Sequence, residues 1–286
     1  MAPEGVRVHE KRGYLVLSIR NLRKTYGIGK KQTDALGDIS FDIPEGELVS
    51  IVGPSGCGKT TLLKCMAGLL EPSSGEVLLN GVPVRDATDR TAVVFQEYSR
   101  SLFPWMTVRE NVAFPLEGEK EITGAARKER VLEALDSVGL SDAMEKYPWQ
   151  LSGGMQQRVS IARALAYKPV ILLMDEPFAS VDAQTRADLE DLTLQIQREH
   201  GMTIAVVTHD IDESIYLANH VVILGAAPTI VLDMLPVPLP RVRDQVATKE
   251  LADFSRLRAQ VHSYMKRHVK EADGVTLDQV ETIGGC

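Results

Sequence analysis

The chain has 286 residues, 44% hydrophobic and 25% charged, a balance that supports one large domain or two smaller ones with a full core. A formal net charge of −7 argues against broad electrostatic binding to nucleic acid, although a local basic groove stays open. Cys57, Cys65 and Cys286 are an odd set without a CxxC pair and read as free thiols in a reducing compartment. The N-terminal stretch MAPEGVRVHEKRGYLVLSI is charged throughout, so no signal peptide is expected. No segment approaches the roughly 18 apolar residues of a membrane span. A cytoplasmic protein is expected, with any membrane role reached through a partner.

Residues 1–13, with Pro3, Gly5 and Gly13, read as a flexible tail. From Tyr14 to Gly53, LVLSIRNL, ISFDI and LVSIVG predict strands, separated by turns such as Pro44-Glu45-Gly46. A glycine-rich loop then opens into a helix, TTLLKCMAG, ending at Gly68. GEVLLNGVPV reads as a hairpin and AVVFQ as a short apolar strand. Between about 97 and 160 strand signals give way to helical patterns such as AARKERVLEALDSVGL. VILLMDEP, TIAVVTHD and HVVILG restore a βαβ rhythm and predict a largely parallel sheet covered on both faces. Beyond residue 236 the proline-rich LPVPLPRVRD leads into one more helix near 248–271.

Gly53-Pro54-Ser55-Gly56-Cys57-Gly58-Lys59-Thr60 matches G-x-x-x-x-G-K-[ST] between a strand and a helix. In that setting glycines wrap backbone N–H groups around a phosphate, and the helix N-terminus adds partial positive charge. Lys59 is the candidate contact to the β- and γ-phosphates, and Thr60 a candidate Mg²⁺ ligand. Cys57 sits where a helix N-terminus lowers a thiol pKa, which predicts that alkylation blocks activity; the alternative is a small residue in a tight loop.

The apolar run ILLM ends in Asp175 and Glu176, candidates for metal ligand and general base, with Pro177 supplying the turn that lets adjacent carboxylates face one site. His209 ends another apolar strand. It is either a polar cap or, at the carboxyl edge of a parallel sheet, a contact to the γ-phosphate that keeps water and Glu176 in line.

Leu151-Ser152-Gly153-Gly154-Met155-Gln156-Gln157-Arg158 opens another helix on a Ser-Gly-Gly loop. It resembles the LSGGQ signature of ATP-binding cassette (ABC) proteins, with Met155 in place of the glutamine. The resemblance spans roughly residues 14–240, with every family element in order. It implies an α/β fold: a P-loop NTPase (RecA-like) core with an antiparallel β subdomain and a helical signature subdomain at about 97–160, the ABC ATPase fold. A C-terminal helical extension would occupy 241–286. By the same resemblance Tyr26 stacks on adenine, and residues 53–60 with Thr61 bind ATP. Gln96 joins the Mg²⁺ shell and senses a membrane partner. Ser180-Val181-Asp182 forms the D-loop, with Asp182 near the nucleotide, and His209 is the switch histidine. The family works as a head-to-tail homodimer in which Ser152, Gly153 and Gly154 of one copy meet the nucleotide held by the other.

VFQEYSRSLFPWMTVRENVAFPL places Phe103, Pro104, Trp105 and Met106 after a polar hinge. That cluster is either core or, as in the family, the surface that receives a permease. FPWMTVRENV and Val237–Asp244 resemble the ATPases of nitrate, sulfonate and taurine importers. The implied system couples ATP hydrolysis to transport of a small anion or organic solute, with permease subunits and a solute-binding protein as partners, on the inner face of the membrane. A soluble ABC ATPase of iron–sulfur cluster assembly is the alternative, which the FPW segment fits poorly. The last helix reads as packing against the core or a neighbour, with regulation as the weaker option.

Overall fold

The computed structural model describes residues 15–272, apart from 28, 30, 31, 87–89, 98–100, 120 and 121. The tail read at 1–13, Cys286 and the Tyr98–Arg100 stretch lie outside the described residues.

Two sheets form the frame. Strands β1 (Leu15–Tyr26), β2 (Thr33–Pro44), β4 (Ser74–Leu79) and β5 (Val82–Pro83) make an antiparallel sheet in the order β2-β1-β4-β5. Strands β3 (Leu48–Val52), β6 (Thr91–Val94), β7 (Ile171–Asp175), β8 (Thr203–Thr208), β9 (His220–Leu224) and β10 (Val231–Pro236) make the larger sheet. Its order is β10-β9-β3-β8-β7-β6, parallel except for β10. Helix α1 (Lys59–Met66) follows β3. Helices α2 (Val108–Ala113), α3 (Gly124–Ser137) and α4 (Gly153–Ala166) fill the stretch between β6 and β7. Helix α5 (Ala183–His200) joins β7 to β8, α6 (Ile211–Leu217) joins β8 to β9, and α7 (Ala252–Ala272) closes the chain.

The central strands β3, β7 and β8 are buried at every position, and mostly apolar, because both faces are covered. Alternate side chains serve opposite cores. Val49, Ile51, Leu173 and Val207 join the small sheet and α1; Leu48, Val52, Met174 and Val206 join the helices on the other face. Each such fully buried aliphatic side chain contributes about 1.5–3 kcal/mol, so the edge where these strands end is a rigid platform.

Two elements differ from expectation. Edge strand β10 occupies 231–236, a stretch for which no element was expected from sequence; Pro236 closes it, as suits an edge strand. Helix α7 starts at Ala252 and not near 248. Asp244 Oδ1 accepts from the Val246 and Ala247 N–H groups, and Thr248 Oγ1 accepts from Asp244 N–H. These local side-chain bonds compete with the helix and delay it.

The segment before α7 is strapped to the core by Arg243. Its guanidinium donates to the carbonyls of Ile215 (3.2 Å), Tyr216 and Ala218 (2.7 Å), the unsatisfied C-terminal end of α6. Beside it, Gln245 donates to Ala187 O, Glu190 and Asp191 of α5. Arg243→Ala therefore orphans several carbonyls at once and is expected to cost about 2–4 kcal/mol of stability, read as a lowered thermal midpoint.

Candidate nucleotide site

The glycine-rich loop connects β3, whose five residues are all buried, to α1. Gly58 is the N-cap residue at φ +101°, and no side chain caps the helix. A Cβ there would lie 3.0 Å from Ala35 O, so backbone strain and space both require glycine. The first turn of α1 carries no acidic residue, and its free amide donors fit an anion. This is the fit expected for nucleotide phosphates. Lys59 is 6% exposed and turns its ammonium onto Gly53 O and Pro54 O, each at 2.9 Å. These carbonyls satisfy the donors of a buried side chain. Tyr26, at the end of β1 and 44% exposed, meets Thr61 Oγ1 through its hydroxyl at 3.3 Å. Ser55 and Gly56 are exposed on the loop.

Cys57 departs from the expectation of a reactive thiol. It is 2% exposed, and a Cβ on Gly53 would lie 3.0 Å from its sulfur. Burial raises its pKa, and the nearby Lys59 charge only partly opposes this. The residue fills the floor of the loop.

Asp175, the last residue of β7, is 5% exposed, and burial raises its pKa. Thr60 donates to Asp175 Oδ1 at 3.3 Å, so the two candidate metal ligands already face each other. Glu176 makes its bonds with other partners. The turn expected from Pro177 is made by Glu176 itself, whose φ is +43° while its N–H bonds Val207 O at 2.8 Å. Its Oε1 lies 3.2 Å from His209 Nδ1, and its Oε2 accepts from Gln96 Nε2 at 3.2 Å. Gln96, expected in the metal shell, is thus bound to the candidate base, just past the end of β6. His209 is a partner of the carboxylate, not merely a strand cap.

Ser152, Gly153, Gly154 and Asp182 form a second group. Ser152 caps α4 by accepting from Met155 N–H at 3.3 Å. Asp182 caps α5, accepting from Thr185 N–H at 3.0 Å and Thr185 Oγ1 at 2.7 Å, and these bonds lower its pKa. A Cβ on Gly154 would fall 2.3 Å from Thr185 Cγ2. Gly154 is therefore demanded by the packing of α4 on the start of α5. Thr185 went unread in the sequence, although D-x-x-T is a capping pattern.

Asn111 was also unread. Fully buried, it accepts from Phe103 N–H and donates toward the carbonyls of Phe103, Met106 and Thr107. It sets the shape of the Phe103–Met106 loop. Trp105 is 69% exposed, and Phe103 contacts both Trp105 and Phe114. Next to them a groove of about 310 Å³ is lined by Phe103, Phe114, Pro115, Arg163 and Tyr167. The aromatic cluster is a surface feature.

Residues 36–179 match the family described as ABC transporter. The aliphatic sulfonates import ATP-binding protein SsuB of Bacillus licheniformis is 45% identical over 231 residues, 81% of this chain and 88% of that protein. The nitrate transport protein NasD of Klebsiella oxytoca is 38% identical over 87% of this chain and 96% of its own length. A dimeric, post-hydrolysis state of the ATP-binding cassette MJ0796 bound to ADP and Pi superposes with a TM-score of 0.66 at 34% identity, covering 80% of this chain and 99% of that one.

Because Cys57 is buried and its pKa raised, it is expected to resist maleimide in the folded chain at neutral pH and to react fully once unfolded. Peptide mass mapping of the alkylated chain reads this directly, and rapid labelling of folded protein would contradict it.

Proposed function

The chain belongs to the ATP-binding cassette transporter family and is an ATPase, and from that premise we propose that it powers an importer of small anionic or organic solutes. The names of the sulfonate and nitrate relatives support the importer class and the solute class. The observation that carries the reading is the carboxyl edge of the large sheet, where Glu176 sits between Gln96 and His209 beside the Thr60–Asp175 pair.

In this reading Thr60, Asp175 and Gln96 would hold Mg²⁺, which would supply charge neutralisation for phosphoryl transfer. Lys59 leaves the Gly53 and Pro54 carbonyls for the phosphates. Glu176 accepts the proton of the attacking water, and His209 orients that carboxylate through Oε1. Tyr26 covers the adenine. Ser152, Gly153 and Gly154 approach the nucleotide of a second copy, with Asp182 beside them. The dimeric cassette structure supports a homodimer, which in this reading is arranged head to tail.

The exposed aromatic surface around Trp105 is the docking site for permease subunits at the inner face of the membrane, and a solute-binding protein completes the system. Among the described residues no helix is long and apolar enough to cross a membrane, which fits a peripheral subunit. The cassette occupies 14–240, with its helical part at about 97–160 and an extension at 241–286.

Glu176→Gln is expected to lower kcat by about 10²–10³-fold while ATP binding persists. Steady-state hydrolysis and equilibrium nucleotide binding check this, and near-parent turnover would refute it. Specific activity of the parent is expected to rise with protein concentration, as an interfacial site requires. A flat dependence from dilute to concentrated protein would remove the dimer from the account.

A further inference from the structure

Behind the Glu176–His209 pair lies a small chamber of about 60 Å³, whose walls include Glu176, His209, Arg186, Thr208, Asp210 and Glu213. Two of these carry buried polar atoms without a hydrogen-bond partner among the described residues: Glu213 Oε1 and Arg186 Nε. Glu213 itself is 6% exposed. The volume suits one or two waters, and four polar walls could hold them. Nothing in the hydrolytic arrangement described above uses Glu213.

Glu213 sits on the first turn of α6, directly after the switch histidine, with its N–H bound to Asp210 Oδ1 at 3.1 Å. Thr208 of β8 bonds its carboxyl. From α5 it is faced by Glu190 and Arg186, and from its own turn by Asp210; Glu176 and His209 stand across the chamber. Gln245 and Lys249 reach Glu190 from the C-terminal segment. Burial is the main cause that raises the Glu213 pKa, to about 8, and the neighbouring carboxylates Glu190 and Asp210 add to it. Arg186 meanwhile donates to Val181 O at 3.5 Å, in the D-loop.

We propose that Glu213 is a positioning residue for hydrolysis: its buried carboxyl closes the chamber behind Glu176 and leaves the Arg186 guanidinium to hold the D-loop at Val181. The inference rests on Glu176 as general base. An ionised Glu213 would draw the unpartnered Arg186 Nε to itself, loosen the grip on Val181 and put a negative charge beside the base. Charge in a closed pocket acts strongly because little water screens it. The residue thus links the switch helix to the D-loop helix without touching nucleotide.

The test is the pH dependence of MgATP hydrolysis by the full chain, parent against Glu213→Gln. Burial raises Glu213 from 4.5 to about 8, so the parent's kcat is expected to fall about tenfold between pH 7 and 9. The amide mimics the neutral acid, and the same ratio in Glu213→Gln should stay within about twofold. A shared alkaline limb in both chains overturns the proposal. A flat parent profile overturns it too. Loss of hydrolysis in Glu176→Gln combined with either result leaves the base assignment intact, whereas near-parent activity in Glu176→Gln sinks the base and not the Glu213 titration.

Stability supplies a second reading. With a folded pKa raised above 4.5, the contribution of the bound proton is fully present below pH 4.5 and lost as pH climbs to about 8. The thermal midpoint of Glu213→Gln should therefore gain on the parent across that window and level off above it; a constant offset would contradict the shifted carboxyl. If Glu213→Gln fails to fold, Glu213→Met, which fills similar volume without a titratable group, gives the same comparison of profiles.

Discussion

Asp175 is the last residue of β7 paired with β8, opposite Val207, and the next residue keeps its N–H on the Val207 carbonyl at 2.8 Å while leaving the strand. Glu176 does both by adopting a left-handed backbone at φ +43°, a conformation that costs a non-glycine residue on the order of 1 kcal/mol. On an ordinary extended strand two adjacent carboxylates point to opposite faces. This bend instead keeps both at the edge while separating their duties: Asp175 meets Thr60, and Glu176 meets His209 and Gln96. Strain of this sort persists only in a frame that over-determines it, and the buried strands of the large sheet supply that frame.

Parallel strand order delivers the remaining parts to the same edge. β3 lies between β8 and β9 and brings in the glycine loop; β6 lies beside β7 and brings in Gln96. In open sheets of this class ligands gather at the carboxyl ends of strands because helix N-termini and loops converge there. The chain meets the electrostatic demands of that edge in the same economical way throughout. Lys59 is buried against its own loop carbonyls, and Asp175 is held by a threonine hydroxyl.

The signature loop and the D-loop form one mechanical unit. Gly154 packs on Thr185, Thr185 is bound twice by Asp182, and Arg186 reaches back to Val181. Helix α5 then meets α6 through Tyr216 and Asp191, bonded at 2.6 Å, and the Arg243 strap holds the end of α6. The segment after β10 is thus part of the scaffold that keeps α6, which follows His209, against α5.

Periodicity and glycine placement made much of this legible in one dimension. Continuous apolar runs such as ILLM marked strands buried on both faces, and G-x-x-x-x-G-K-T marked a phosphate loop, because both follow from contacts within a few residues of chain. The ordered series from Tyr26 to His209 named the family for the same reason. What stayed hidden depends on neighbours far away in sequence. β10 exists only because β9 offers an edge. Cys57 is buried by the approach of Gly53 and the sheet, which reverses the thiol chemistry that its position near a helix start suggested. The turn assigned to Pro177 belongs to Glu176 because β8 supplies the acceptor that pins it. Asn111, Thr185, Arg186 and Glu213 are ordinary polar residues along the chain. They become organising groups only where folding removes water and leaves each donor and acceptor to find its partner in another element.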